Sequence, residues 1–122
     1  MSTEDSGKIV SEFLASWTTD DIDLMLTYFH DDAVYHNIPM APAVGKDAIR
    51  ELLAQFLLGM EDFRAVVHHQ LASGDIVMQE RTDSFVVDGQ QRDLPICGVF
   101  ELEDGRIKSW REYFDLSPFA GG

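Results

Sequence analysis

Residues 73–106, SGDIVMQERTDSFVVDGQQRDLPICGVFELEDGR, decide the fold class. Ile76–Val87 is a long run rich in β-formers, and three turn signals punctuate the stretch: Ser73-Gly74-Asp75, Asp88-Gly89 and Asp104-Gly105. Asp-Gly between apolar runs is a strong hairpin signal, because the tight turn asks both central residues for a positive φ. Strands are therefore expected over 76–87, about 91–103 and about 106–115. Upstream, Phe63, Ala65, Val67, His69 and Leu71 alternate with mostly polar neighbours and predict a further strand. The second half reads as a four-stranded antiparallel meander.

The first half has a different period. Ile9, Val10, Phe13, Leu14 and Trp17 recur at the spacing of one helical face. Asp20 or Asp21 caps a short second helix carrying Ile22, Met25, Leu26 and Phe29, which His30-Asp31-Asp32 ends. Residues 33–38 predict a short strand stopped by Pro39, and Pro42 and Gly45 mark a loop. Helical spacing returns over 46–60 through Ile49, Leu52, Leu53, Phe56 and Leu57. Helices followed by a meander give an α+β fold with a largely antiparallel sheet, with one short early strand and a frayed tail over 117–122.

The 122 residues are expected to form one domain, since two would leave neither half enough interior. Nine Lys and Arg face 22 Asp and Glu, a formal charge of −13 that disfavours nucleic acid and anionic membranes. The start of the chain carries Glu4 and Asp5 and no secretory apolar run, and no stretch approaches the roughly 18 apolar residues of a membrane helix. Cys97 has no partner for an internal disulfide, and no CxxC pair exists. A cytoplasmic protein is expected.

Four histidines carry little. His68 and His69 are adjacent in a strand, so their side chains are expected on opposite faces, and His30 and His36 lack ligand-like spacing. The carboxylates carry more. Arg81 and Asp83 are two apart on one strand and share a face with Val77, Gln79 and Phe85, where charge is costly unless paired. Tyr35 and Asn37 are likewise two apart, and Asp115 ends the last strand. Five polar groups therefore converge in one reading: Tyr35, Asn37, Arg81, Asp83 and Asp115. In the plainer alternative, Arg81 and Asp83 are a solvated ion pair and Tyr35 is a core aromatic.

On the third long strand, Leu94, Ile96, Gly98, Phe100 and Leu102 share one face. Cys97 and Val99 lie on the other, which Val66, Met78 and Trp110 are expected to join as a dimer surface.

Tyr35-His36-Asn37-Ile38-Pro39, Glu80-Arg81-Thr82-Asp83 and Trp110-Arg111-Glu112-Tyr113-Phe114-Asp115-Leu116 resemble the limonene-epoxide hydrolase family. That family lies within the nuclear transport factor 2-like superfamily. The resemblance implies a cone-shaped, six-stranded curved sheet closed by helices around an apolar pocket. It implies hydrolysis of a small, largely apolar, terpene-like epoxide to a vicinal diol by one-step acid–base catalysis. Asp115 is then the general base, Tyr35 and Asn37 hold the attacking water, Asp83 is the general acid, and Arg81 bridges the aspartates. Homodimers are usual in the family, and no metal or organic cofactor is implied. Phe56, Met60, Phe85, Leu94, Ile96 and Phe114 are the expected pocket walls; Gly98, if it faces inward, widens the cavity for a substrate larger than, or simply different from, a monoterpene epoxide. Two other readings stay open: a ketosteroid-isomerase- or polyketide-cyclase-like enzyme on the same fold, and a non-catalytic ligand-binding or dimerisation module.

Overall fold

The computed structural model describes residues 2–116; the expected frayed tail, 117–122, lies outside them. The elements in chain order are α1 (Thr3–Ser16), a 3-10 turn (Trp17–Thr19), α2 (Ile22–Leu26), β1 (Phe29–Asn37), β2 (Ala43–Val44), α3 (Lys46–Gly59), β3 (Glu61–Ser73), β4 (Ile76–Val87), β5 (Gln90–Glu103) and β6 (Arg106–Tyr113). The strands form one curled, unclosed sheet in the order β2-β1-β6-β5-β4-β3. Neighbours are antiparallel except β1 and β6, which run parallel.

Local chemistry sets these boundaries. Ser2 caps α1 by accepting the Asp5 N–H, and Asp21 caps α2 by accepting the Leu24 N–H. Asp88-Gly89 and Asp104-Gly105 both place two consecutive residues at positive φ, the backbone a two-residue hairpin turn requires. The four-stranded meander is as the sequence predicts. Two details differ. The second helix stops at Leu26, and the chain enters β1 already at Phe29. The sixth strand, β2, is two residues long, too short for any period to register.

Two bulges decide which way side chains point. On β6, Leu102 pairs with Ile107 but Glu101 pairs with Ser109, so Lys108 is an extra residue. Beyond it, Trp110 and Glu112 turn inward, joining Ile107 in the interior. Trp110, expected on the outer face, is instead 1% exposed. On β3, Val67 pairs with Arg81 and His69 with Glu80, leaving His68 extra. Both histidines consequently lie on the outer face, contrary to expectation: His68 pairs with Thr82 and His69 with Glu80, each at 2.9 Å.

The helices pack on the concave face around an aromatic cluster. Phe13 meets Phe29 and Trp110 edge-on at 5.2 and 5.0 Å between ring centres. Trp110 is stacked between Tyr35, at 4.1 Å, and Phe100, at 5.1 Å. These three are cross-strand neighbours on β1, β6 and β5, so the stack runs across the sheet as one row. It forms a rigid floor beside the next row along, where the polar residues stand.

Candidate active site

β4 runs without a register break against β5, so strict alternation sends Val77, Gln79, Arg81, Asp83 and Phe85 to the concave face, all buried. Arg81 grips Asp83 with two hydrogen bonds, Nε to Oδ1 at 2.8 Å and Nη2 to Oδ2 at 3.1 Å. It also donates to Glu112, Nη1 to Oε2 at 3.1 Å and Nη2 to Oε1. Gln79 Oε1 accepts from Nη1 at 3.4 Å, and Gln79 is itself held by Gln70 at 2.7 Å. The guanidinium is thus a fork between two carboxylates, the geometry that suits arginine and not lysine.

Glu112 is the second carboxylate, and Asp115 is not. Asp115 lies beyond the end of β6, is exposed, and does not line the cavity described below. In an unbroken strand Ile107 and Asp115 share a parity and point the same way; the bulge at Lys108 reverses the parity and brings Glu112 inward.

Gly98 explains how Arg81 reaches Glu112. It sits on β5 between Gln79 on β4 and Glu112 on β6. A Cβ there would meet the Glu112 carboxylate and stand 2.7 Å from Arg81 Nη1. The glycine therefore makes room for the ion pair. It does not line the cavity, and the expectation that it enlarges a substrate pocket is corrected.

Tyr35 and Asn37 complete the cluster from β1. Asn37 is paired in register with Glu112, and Tyr35 with Trp110. Both are buried, and the Asn37 Nδ2 has no hydrogen-bond partner among the described residues. Trp110 Nε1 also lacks one, although it lies close enough to Glu112 to favour the charged carboxylate.

The electrostatics follow from two acids and one cation in a dry site. Burial pushes the Glu112 carboxyl up to about 7; Arg81 opposes the rise and the negative charge of Asp83 adds to it. Burial also raises the Tyr35 hydroxyl, as does Glu112, so it stays a neutral phenol that donates or accepts. For Arg81 burial works against the charge, but Glu112 and Asp83 outweigh it and the guanidinium stays protonated. Among the described residues no group of three or more His, Cys, Asp or Glu is arranged to hold a metal.

All five polar residues, Tyr35, Asn37, Arg81, Asp83 and Glu112, line one cavity of about 200 Å³. Its remaining walls are largely apolar and include Phe56, Met60, Phe85, Leu94, Ile96 and Phe114. Trp17, Met40, Phe63 and Trp110 also line it and were not among the expected walls. Trp17 carried a signal, as the last apolar residue of the first helical face; Glu112 carried only the weaker one of standing two residues after a large aromatic. The arrangement offers two acids on one guanidinium, hydrogen-bonding groups for a small polar reactant, and greasy walls for a hydrocarbon.

The chain matches the SnoaL-like domain family over residues 10–110. It is 34% identical over 113 residues to epoxide hydrolase EphG of Mycobacterium tuberculosis, covering 93% of this chain and 75% of that protein. The structure of an M. tuberculosis LEH-like epoxide hydrolase agrees with a TM-score of 0.83 at 32% identity, over 93% of this chain and 85% of that one. A protein of Shewanella putrefaciens CN-32 assigned as a SnoaL-like polyketide cyclase gives a TM-score of 0.85 at 13% identity, over 94% of this chain and 93% of that one, a likeness of fold alone. The fold, the site segments and these relatives agree: the chain is a member of the SnoaL-like domain family, and LEH-like epoxide hydrolases are among its relatives.

Proposed function

We propose that this protein is a cofactor-independent epoxide hydrolase that adds water to a small, largely apolar epoxide to give a vicinal diol. The observation that carries the reading is the buried Arg81 fork, holding Asp83 and Glu112 in the wall of an apolar cavity. An epoxide is a strained neutral ether, and opening it takes a nucleophile on carbon and a proton on the departing oxygen. One acid must be charged and the other protonated in the same pocket. Two carboxylates sharing a guanidinium provide that state.

Register supports the following division of labour. Glu112 stands beside Asn37 and Tyr35, so it is the base for a water that those two hold. Asp83, on the far side of Arg81, carries the shared proton in the reactive form. The water oxygen bonds to an epoxide carbon as Glu112 takes the water proton. The carbon–oxygen bond breaks, and Asp83 gives its proton to the freed oxygen. Proton exchange with solvent then resets the pair. Each acid or base contribution is on the order of 10²–10⁴-fold in rate. The scheme uses side chains and water only, and the apolar walls bind a terpene-like hydrocarbon skeleton by burial, at roughly 25 cal/mol per Å².

The chain acts as a homodimer in this reading. The outer face of the sheet exposes Val66, Leu71, Met78 and Tyr113 around Cys97, a stripe that suits a second copy. A lone cysteine and a strongly acidic surface fit a cytoplasmic setting, and the expectation of a single domain stands on the chain length.

Incubation with cyclohexene oxide tests the activity: diol formation above a no-protein control is expected. A single turnover in oxygen-18 water is expected to label the diol and no enzyme carboxylate. An enone steroid isomerised in place of epoxide hydrolysis would support the isomerase reading instead, a chemistry that gains nothing from an arginine between two acids.

A further inference from the structure

We infer that Gln79 is a positioning residue for epoxide opening: backed by Gln70, it takes the fifth N–H of the Arg81 guanidinium and fixes the angle at which that group holds Asp83 and Glu112. This rests on the epoxide-hydrolase reading and extends it to two residues that stand outside the cavity wall.

A guanidinium has five N–H donors and no acceptor. Asp83 takes two of them, on Nε and Nη2, and Glu112 takes two more, one from each Nη. One N–H is left on Nη1, and Gln79 Oε1 receives it at 3.4 Å. Arg81 is buried, so that N–H left bare would carry the full cost of an unmade hydrogen bond. The position calls for a neutral acceptor. A carboxylate there would set a third negative charge beside one cation, and an alkyl chain would accept nothing. With all five donors engaged, the guanidinium has a single orientation, and both acids take theirs from it.

Gln79 can serve only with its oxygen turned to Arg81, because the reverse setting puts N–H against N–H. Gln70 fixes the turn: its Oε1 accepts from Gln79 Nε2 at 2.7 Å. The fold goes out of its way to deliver Gln70. Val67 pairs with Arg81 and shares its face, so strict alternation sends Gln70, three residues on, to the outer face. The bulge at His68 reverses this and sets Gln70 opposite Gln79 on the concave side. Gly7 of α1 leaves room for it, since a Cβ there would stand 3.0 Å from Gln70 Nε2. A bulge, a glycine and two amides thus converge on one N–H of Arg81.

Gln79→Leu, Gln70→Met and Gln70→Glu test this with cyclohexene oxide. Gln79→Leu is expected to lower kcat about tenfold with KM within about twofold of wild type, because the cavity wall is untouched and only the setting of the acids is lost. Gln70→Met keeps the length of the side chain and removes the oxygen that holds Gln79; about a threefold loss in kcat is expected. Gln70→Glu restores an oxygen and is expected to recover most of that loss, a rescue that packing alone would not give. A second measurement needs no turnover. Arg81 is the one buried arginine among the described residues, so in ¹⁵N-labelled protein it is expected to give separate, slowly exchanging Nη–H resonances. Those of Nη1 are expected to merge by rotation in Gln79→Leu and in Gln70→Met. Wild-type kcat in both of these variants, or a loss carried by KM, with the Nη1 resonances still separate, would overturn the inference. If Gln79→Leu fails to fold, the two Gln70 variants decide. A wild type that opens no epoxide defeats the enzymatic reading, and the Nη1 resonances then decide the positioning role by themselves.

Discussion

Arg81 and Glu112 form a buried ion pair although their strands do not touch. The arginine is on β4 and the glutamate on β6, with β5 between them, a gap of roughly 9–10 Å at the backbone. The pair closes over Gly98, where any side chain would stand in the way.

Gly98→Ala is therefore expected to destabilise the protein by about 1–3 kcal/mol, since a methyl group forced into a filled space moves its neighbours. It should also lower the rate of epoxide opening, because the two carboxylates lose their common support. Denaturant unfolding and steady-state kinetics check both. Unchanged values would show that the ion pair has room to spare.

Glu112→Gln and Asp115→Asn separate the two candidates for the base. The first is expected to cost on the order of 10²–10⁴-fold in kcat, the range for a general base. The second is expected to stay close to wild type, because Asp115 is exposed and outside the cavity wall. A large loss in Asp115→Asn with Glu112→Gln active would return the role to the aspartate.

The pH dependence follows from burial of Glu112, whose carboxyl is raised to about 7 from 4.5. Glu112 holds a proton until about pH 7, and activity is expected to fall as pH rises through that value, because the site then has no shared proton to pass to the epoxide oxygen. Stability has the same sign. A folded-state value above the unfolded one gives stability that is whole below pH 4.5 and is lost as pH rises through about 7. The fall in Tm between pH 4.5 and 8 should accordingly be steeper in the wild type than in Glu112→Gln. Equal slopes would mean that Glu112 ionises in the fold as easily as in water.

The outer face yields a prediction about assembly. Met78 is 47% exposed and Val66 53% exposed, so aspartate at either position is tolerated by an isolated chain. Light scattering is expected to give a dimer for the wild type and a monomer for the Val66→Asp, Met78→Asp double variant. A monomeric wild type removes the dimer from the proposal.

Most of this architecture was legible because alternation is an exact period where a strand is unbroken. β4 is such a strand, and Gln79, Arg81, Asp83 and Phe85 were read correctly onto one face from spacing alone. The same rule misled wherever an extra residue intervened. His68 put two adjacent histidines on one side of β3, and Lys108 exchanged Asp115 for Glu112 and carried Trp110 indoors. A bulge leaves little trace in composition, so neither was visible before the pairing was known. Gly98 was read as enlarging the substrate cavity, and the space is instead filled by Arg81 and Glu112; which long side chain arrives from a neighbouring strand is tertiary information.

The surplus residue at Lys108 has a consequence for how such a protein changes over time. Point substitutions along β6 alter the cavity one side chain at a time. Loss of the Lys108 codon would only remove the bulge and leave Trp110 and Glu112 facing inward on a regular strand, whereas loss of the Arg111 codon would place Glu112 directly after Trp110 and turn it outward. The chemistry is therefore guarded by chain length past the bulge as well as by residue identity, and a one-residue deletion there would be more damaging than most replacements inside the pocket.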